Sequence, residues 1–169
     1  MQASRPISSA KPQRGFGAVA AVALGLATTV TVLGQGTLPP IEIVDRSIPT
    51  PLTTIPGDPV AGRLTVRDTS IASCLICHEM PIPEDPNHGT FGPPLAGVGS
   101  RYSAAELRLR LVDPKVLNPD TVMPAYYKAD GLQRVDLPFQ GRTIYSAQQI
   151  EDVVAYLMTL TDQEEAVSP

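Results

Sequence analysis

Tryptophan is absent from this chain, and aromatic residues supply only 5% of its 169 positions. The bulky side chains that usually fill a small core are scarce, which calls for some other filler. Cysteine is confined to two positions three residues apart, which excludes a disulfide scaffold, because a bridge across so short a span is strained and rare. No internal repeat and no convincing pair of strands can be found, and the length gives room for one domain. Acidic residues are missing from the first 36 positions, where Arg5, Lys11 and Arg14 lie. Without that segment the balance is 10 basic against 17 acidic residues, or −7, which argues against a nucleic-acid partner.

Only one apolar run approaches the length of a membrane span, "GFGAVAAVALGLATTVTVLG" at 15–34. Coming after three basic residues it reads as an export signal, so the mature protein is expected outside the cytoplasm. Gly34-Gln35-Gly36 offers small residues at the cleavage spacing, and two readings stand: a signal peptide removed after residue 36, or a retained N-terminal anchor. Membrane association is expected only in the second.

Residues 37–57 hold five prolines and no helical period, which predicts an extended tether, or a segment lying along a partner subunit. The main domain is expected over 58–163, with a short tail at 164–169. Its first helix opens at Asp58 as N-cap with Pro59 at the first helical position, and Val60 and Leu64 follow four apart. Gly62 on that helix would let another helix come close, with the terminal helix near 153–157 as the expected neighbour. Ser103 and Glu106 have the spacing of a capping box for a second helix, with Ala104, Leu107 and Leu111 on one side and Arg108 and Arg110 outward. Asp113-Pro114 stops it. The last helix opens at Ser146, with Gln149 three residues on, and carries the stripe Ile150, Val153, Val154, Leu157 and Leu160. Short helices between long Pro-rich loops make an all-α domain that is unstable unless something fills the space between them.

"CLICH", residues 74–78, supplies that something. On a helical turn, positions i and i+3 face the same way, so Cys74 and Cys77 reach two neighbouring vinyl groups on one porphyrin edge and become thioethers. His78 then turns its imidazole toward the ring centre. C-x-x-C-H is the attachment signature of c-type haem. A thioredoxin-like redox pair would need a βαβ setting that is not found here. A zinc site would have to draw on Cys74, Cys77, His78 and His88, with His78 awkwardly adjacent to Cys77.

The sixth iron position needs a side chain from the other face. Met123 is the first choice, because Pro119 and Pro124 stiffen its loop. Met80, Met158 and His88 are the competitors. "FGPPLAGVG" returns the chain to the proximal side, where the Pro93 carbonyl is the expected acceptor for the His78 ring N–H. Tyr126 and Tyr127 either bond the haem propionates, face a partner, or do neither.

These residues together resemble a class I c-type cytochrome over roughly residues 58–162. More narrowly, "GPPLAGVGSRYSAAELRLRLVDPKVLNPDTVMPAYY" and "PFQGRTIYSAQQIEDVVAYLMTL" are similar to the X subunits of the SoxAX cytochromes of thiosulfate oxidation. The resemblance implies a class I cytochrome c fold with short helices around one covalent haem c, attached at Cys74 and Cys77 and ligated by His78 and Met123. It implies a periplasmic subunit paired with a larger, SoxA-like cytochrome that carries the catalytic cysteine. The complex couples thiosulfate oxidatively to a cysteine of the SoxYZ carrier, and electrons leave to a small cytochrome c. On this reading the chain is an electron exit and holds no catalytic residue. The alternatives are a freely diffusing periplasmic cytochrome c, and an enzyme or gas sensor with an open iron position.

Overall fold

The computed structural model describes residues 38–162, so the apolar run at 15–34 and the tail at 164–169 lie outside the described residues. The architecture is all-α, and its only β feature among the described residues is a single bridge between Val44 and Ser47. None of the described helices is long and apolar enough to cross a membrane.

Helix α1 spans Pro59–Arg67. Asp58 caps it, its carboxylate accepting from the Val60 N–H at 2.8 Å, and Pro59 needs no partner for a missing donor. The expected apolar pair faces the wrong way: Val60 and Leu64 are 68% and 61% exposed, while Gly62 and Val66 are buried. The reason lies in how α1 meets the terminal helix α4, Ala147–Thr159. A Cβ on Gly62 would collide with the Asp152 carbonyl oxygen and sit 2.9 Å from Tyr156 Cβ. The two backbones touch at Gly62, so the helix turns that residue inward and leaves Val60 and Leu64 outside.

A short helix α2, Val98–Arg101, leads to α3, Ala104–Val112. Both α3 and α4 begin with capping boxes at the anticipated residues, Ser103 with Glu106 and Ser146 with Gln149. The α4 stripe of Ile150, Val153, Val154, Leu157 and Leu160 is buried throughout.

Two expectations are corrected by the segment before α1. It is extended, as anticipated, but it is packed rather than a tether. Ile48 is 1% exposed, its N–H donates to the Ala105 carbonyl at 3.0 Å, and Leu38, Ile41 and Leu52 pack on the core. The Leu52 N–H donates to Glu151 Oε1 at 2.9 Å, and the Thr53 hydroxyl meets Gln148 Oε1 at 2.9 Å. Arg108, expected outward, is consequently buried. Its Nε and Nη2 pair with the Glu151 carboxylate at 2.7 and 2.8 Å, and Nη1 donates to the Ile48 carbonyl at 2.7 Å. A buried guanidinium needs both a counter-charge and hydrogen-bond partners, and the segment together with α4 supplies them.

Candidate haem-binding site

The turn Cys74–Ile76 is a single 3-10 turn. Ser73 starts it: its hydroxyl donates to the Val66 carbonyl at the end of α1 and accepts from the Leu75 N–H. The Cys77 and His78 N–H groups both donate to the Cys74 carbonyl, at 3.1 and 2.9 Å, which winds the two thiols and the imidazole around one turn. Burial pushes the Cys74 thiol up to about 12, so it is a neutral thiol at neutral pH, unlike the depressed thiolate of a redox pair.

His78 Nδ1 lies 2.7 Å from the Pro93 carbonyl oxygen. A carbonyl only accepts, so Nδ1 carries the proton and Nε2 keeps its lone pair free for a metal. Gly92 lies flat against this imidazole, leaving no room for a Cβ, and its own N–H donates to the Cys77 carbonyl at 2.7 Å.

Cys74, Cys77, His78 and Met123 all line one cavity of about 440 Å³ between the attachment turn, α3 and the loop after it. None of the three competitors for the distal position lines it. Met80 is 4% exposed within the core, and Met158 packs on the core from α4. His88 Nδ1 accepts the Met80 N–H at 3.2 Å, which directs the ring elsewhere and leaves Nε2 buried without a partner.

The Met123 loop is held by its own polar groups. Lys115 Nζ donates to the carbonyls of Pro119 and Thr121, at 3.1 and 2.9 Å, and the Met123 N–H donates to the Thr121 hydroxyl at 3.2 Å. Tyr126 is buried and lines the cavity; Tyr127 is also buried but is not part of the lining.

The rest of the wall is mostly apolar, with two guanidiniums, Arg101 and Arg110, and no carboxylate. Arg110, expected to point outward, instead stacks over the Tyr102 ring, its Cζ 3.8 Å from the centroid. Arg101 donates to the carbonyls of Ala96 and Pro94, at 2.6 and 3.1 Å. Neither arginine was singled out from the sequence for this role; the only signal was their position beside apolar residues that turn inward.

This donor set fits a haem. Two thiols and an imidazole come from the attachment turn, a thioether from the loop after α3, the remainder is mostly apolar, and the two cations suit the group's two carboxylates. A cytochrome c family profile matches residues 68–161. The chain belongs to the cytochrome c family. Its cofactor is one covalently attached haem c. Among solved structures the chain is similar to a chain in the crystal structure of SoxXA from P. pantotrophus. The two are 37% identical with a TM-score of 0.65, and the match covers 72% of this chain and 95% of that one. Together with the helical fold, this makes it a SoxX-type cytochrome. No curated protein matches the chain.

Proposed function

We propose that this SoxX-type chain is the monohaem electron-transfer subunit of a periplasmic thiosulfate-oxidising complex. It pairs with a larger, SoxA-like cytochrome, takes electrons released when thiosulfate is coupled to the SoxYZ carrier cysteine, and passes them to a small cytochrome c. The observation that carries this reading is that Cys74, Cys77, His78 and Met123 all line one cavity.

Cys74 and Cys77 would hold the group as thioethers, and His78 Nε2 and Met123 would ligate its iron. The bound haem supplies one-electron redox chemistry. The Pro93 carbonyl keeps the proton on Nδ1, which makes Nε2 a better donor. The Met123 thioether raises the reduction potential relative to a second imidazole, as an electron acceptor requires. With both thiols used in attachment, no free cysteine remains here, so bond-making at sulfur belongs to the partner. Phe91 and Val122 line the cavity and are 74% and 70% exposed, offering an apolar rim against which a redox partner can close.

The test is a tagged purification from the native periplasm, recording what accompanies the chain and whether thiosulfate with the carrier protein reduces its haem. Co-purification with a larger cytochrome and carrier-dependent reduction are the expected results. A lone cytochrome indifferent to thiosulfate would replace this reading with that of a freely diffusing electron shuttle.

A further inference from the structure

Tyr145 stands immediately before the N-cap of α4 and is completely buried. Its contacts reach both walls of the cavity. The hydroxyl donates to the carbonyl of Ala72, two residues before Cys74, and also meets the Cys74 side chain. The ring stacks on Tyr126 with centroids 4.8 Å apart and planes 16° from parallel. The backbone N–H donates to the Tyr126 carbonyl at 2.9 Å.

Tyr126 carries the connection onward. It lines the cavity, its N–H donates to the Leu111 carbonyl on α3 at 2.9 Å, and it follows Met123 by three residues with Pro124 stiffening the interval. One side chain therefore joins the turn that bears the attachment cysteines to the loop that bears the methionine. Phenylalanine would fill the same space without a hydroxyl to satisfy. Burial pushes both phenols well above their ordinary value, so Tyr145 stays a neutral O–H donor through the physiological range.

We propose that Tyr145 is a positioning residue for Met123. It ties the loop at 118–127 to Ala72, just before the attachment turn, so that the methionine sulfur is held opposite His78. This inference rests on the proposed assignment of Met123 as the distal ligand.

The test uses the holoprotein and imidazole as a competitor for the iron. Displacement of Met123 is read as loss of the weak red absorption band that reports methionine sulfur on ferric iron. Tyr145→Phe removes the hydroxyl's contacts with Ala72 and Cys74 and keeps the ring and its stack. Its apparent affinity for imidazole should rise roughly three- to tenfold, the worth of one net hydrogen bond. Ile150→Val, a core truncation in α4, should lower thermal stability yet leave imidazole affinity within about twofold of wild type. Wild-type affinity in Tyr145→Phe, or an equal rise in Ile150→Val, would overturn the proposal. Met123→Ala run in parallel checks the assignment separately, since it should abolish the band and bind imidazole most tightly. If the wild type lacks the band, or Met123→Ala binds imidazole no better, the ligand assignment falls and the proposal with it.

Discussion

An imidazole coordinates a metal well only if its other nitrogen is held, and at His78 two neighbours do this. The Pro93 carbonyl fixes Nδ1, and Gly92 presses flat on the ring, its backbone tied to Cys77. A Cβ at residue 92 would overlap the imidazole, so Gly92→Ala must push the ring from its place. Overpacking of this kind costs about 1–3 kcal/mol. We predict a lower yield of holoprotein and a lower melting temperature, read by haem absorbance on heating; a wild-type melt would contradict the contact. At this scale much of the site was legible. Cys74, Cys77 and His78 announce themselves by spacing alone, and Met123 by its flanking prolines. Tyr145 does not, because its partners, Ala72 and Tyr126, are distant in the chain and nothing local marks it. Arg110 misleads for a related reason: a charged residue on a helix reads as outward until a cavity with room for a guanidinium lies beneath it.

Helices α1 and α4 meet backbone to backbone at Gly62, and the attachment turn hangs from the end of α1 through Ser73 and Val66. Separating these helices therefore disturbs the turn. Gly62→Val should prevent haem-bound protein from accumulating, because the obstacle is the Asp152 carbonyl, a backbone group that cannot swing aside. Val60→Ala, on the exposed side of the same helix, should change stability by no more than about 0.5 kcal/mol. Comparing the two holoprotein yields in parallel expressions checks both, and a normal yield from Gly62→Val would remove the contact from the account. Helix boundaries were readable from Asp58-Pro59 and the two capping boxes. Gly62 was readable as the point where the terminal helix comes close, whereas Val60 and Leu64 misled, since they have the spacing of a buried stripe while the contact uses the absence of a side chain.

Across the whole molecule, the segment before α1 joins the domain rather than trailing from it. Glu151 is the point of union: its carboxylate holds Arg108 of α3 and the Leu52 N–H, while Arg108 reaches on to Ile48. Composition rich in proline gives an extended chain but says nothing of where it lies; its packing is decided by the core under Ile48 and by polar partners on α3 and α4. Those partners are too far along the sequence to be recognised beforehand. The scarcity of aromatic filler does carry over to this scale. A domain built from short helices leaves a mostly apolar cavity of about 440 Å³, with the four candidate donors for one haem on its wall. On the proposed function, His78 and Met123 hold that haem's iron in a high-potential, electron-accepting state. The most direct test of this claim is a redox titration of the wild-type holoprotein beside Met123→Ala. We expect the substitution to lower the potential by more than about 0.1 V, within the roughly 0.8 V over which axial ligands move haem potentials. An unchanged potential would contradict the claim.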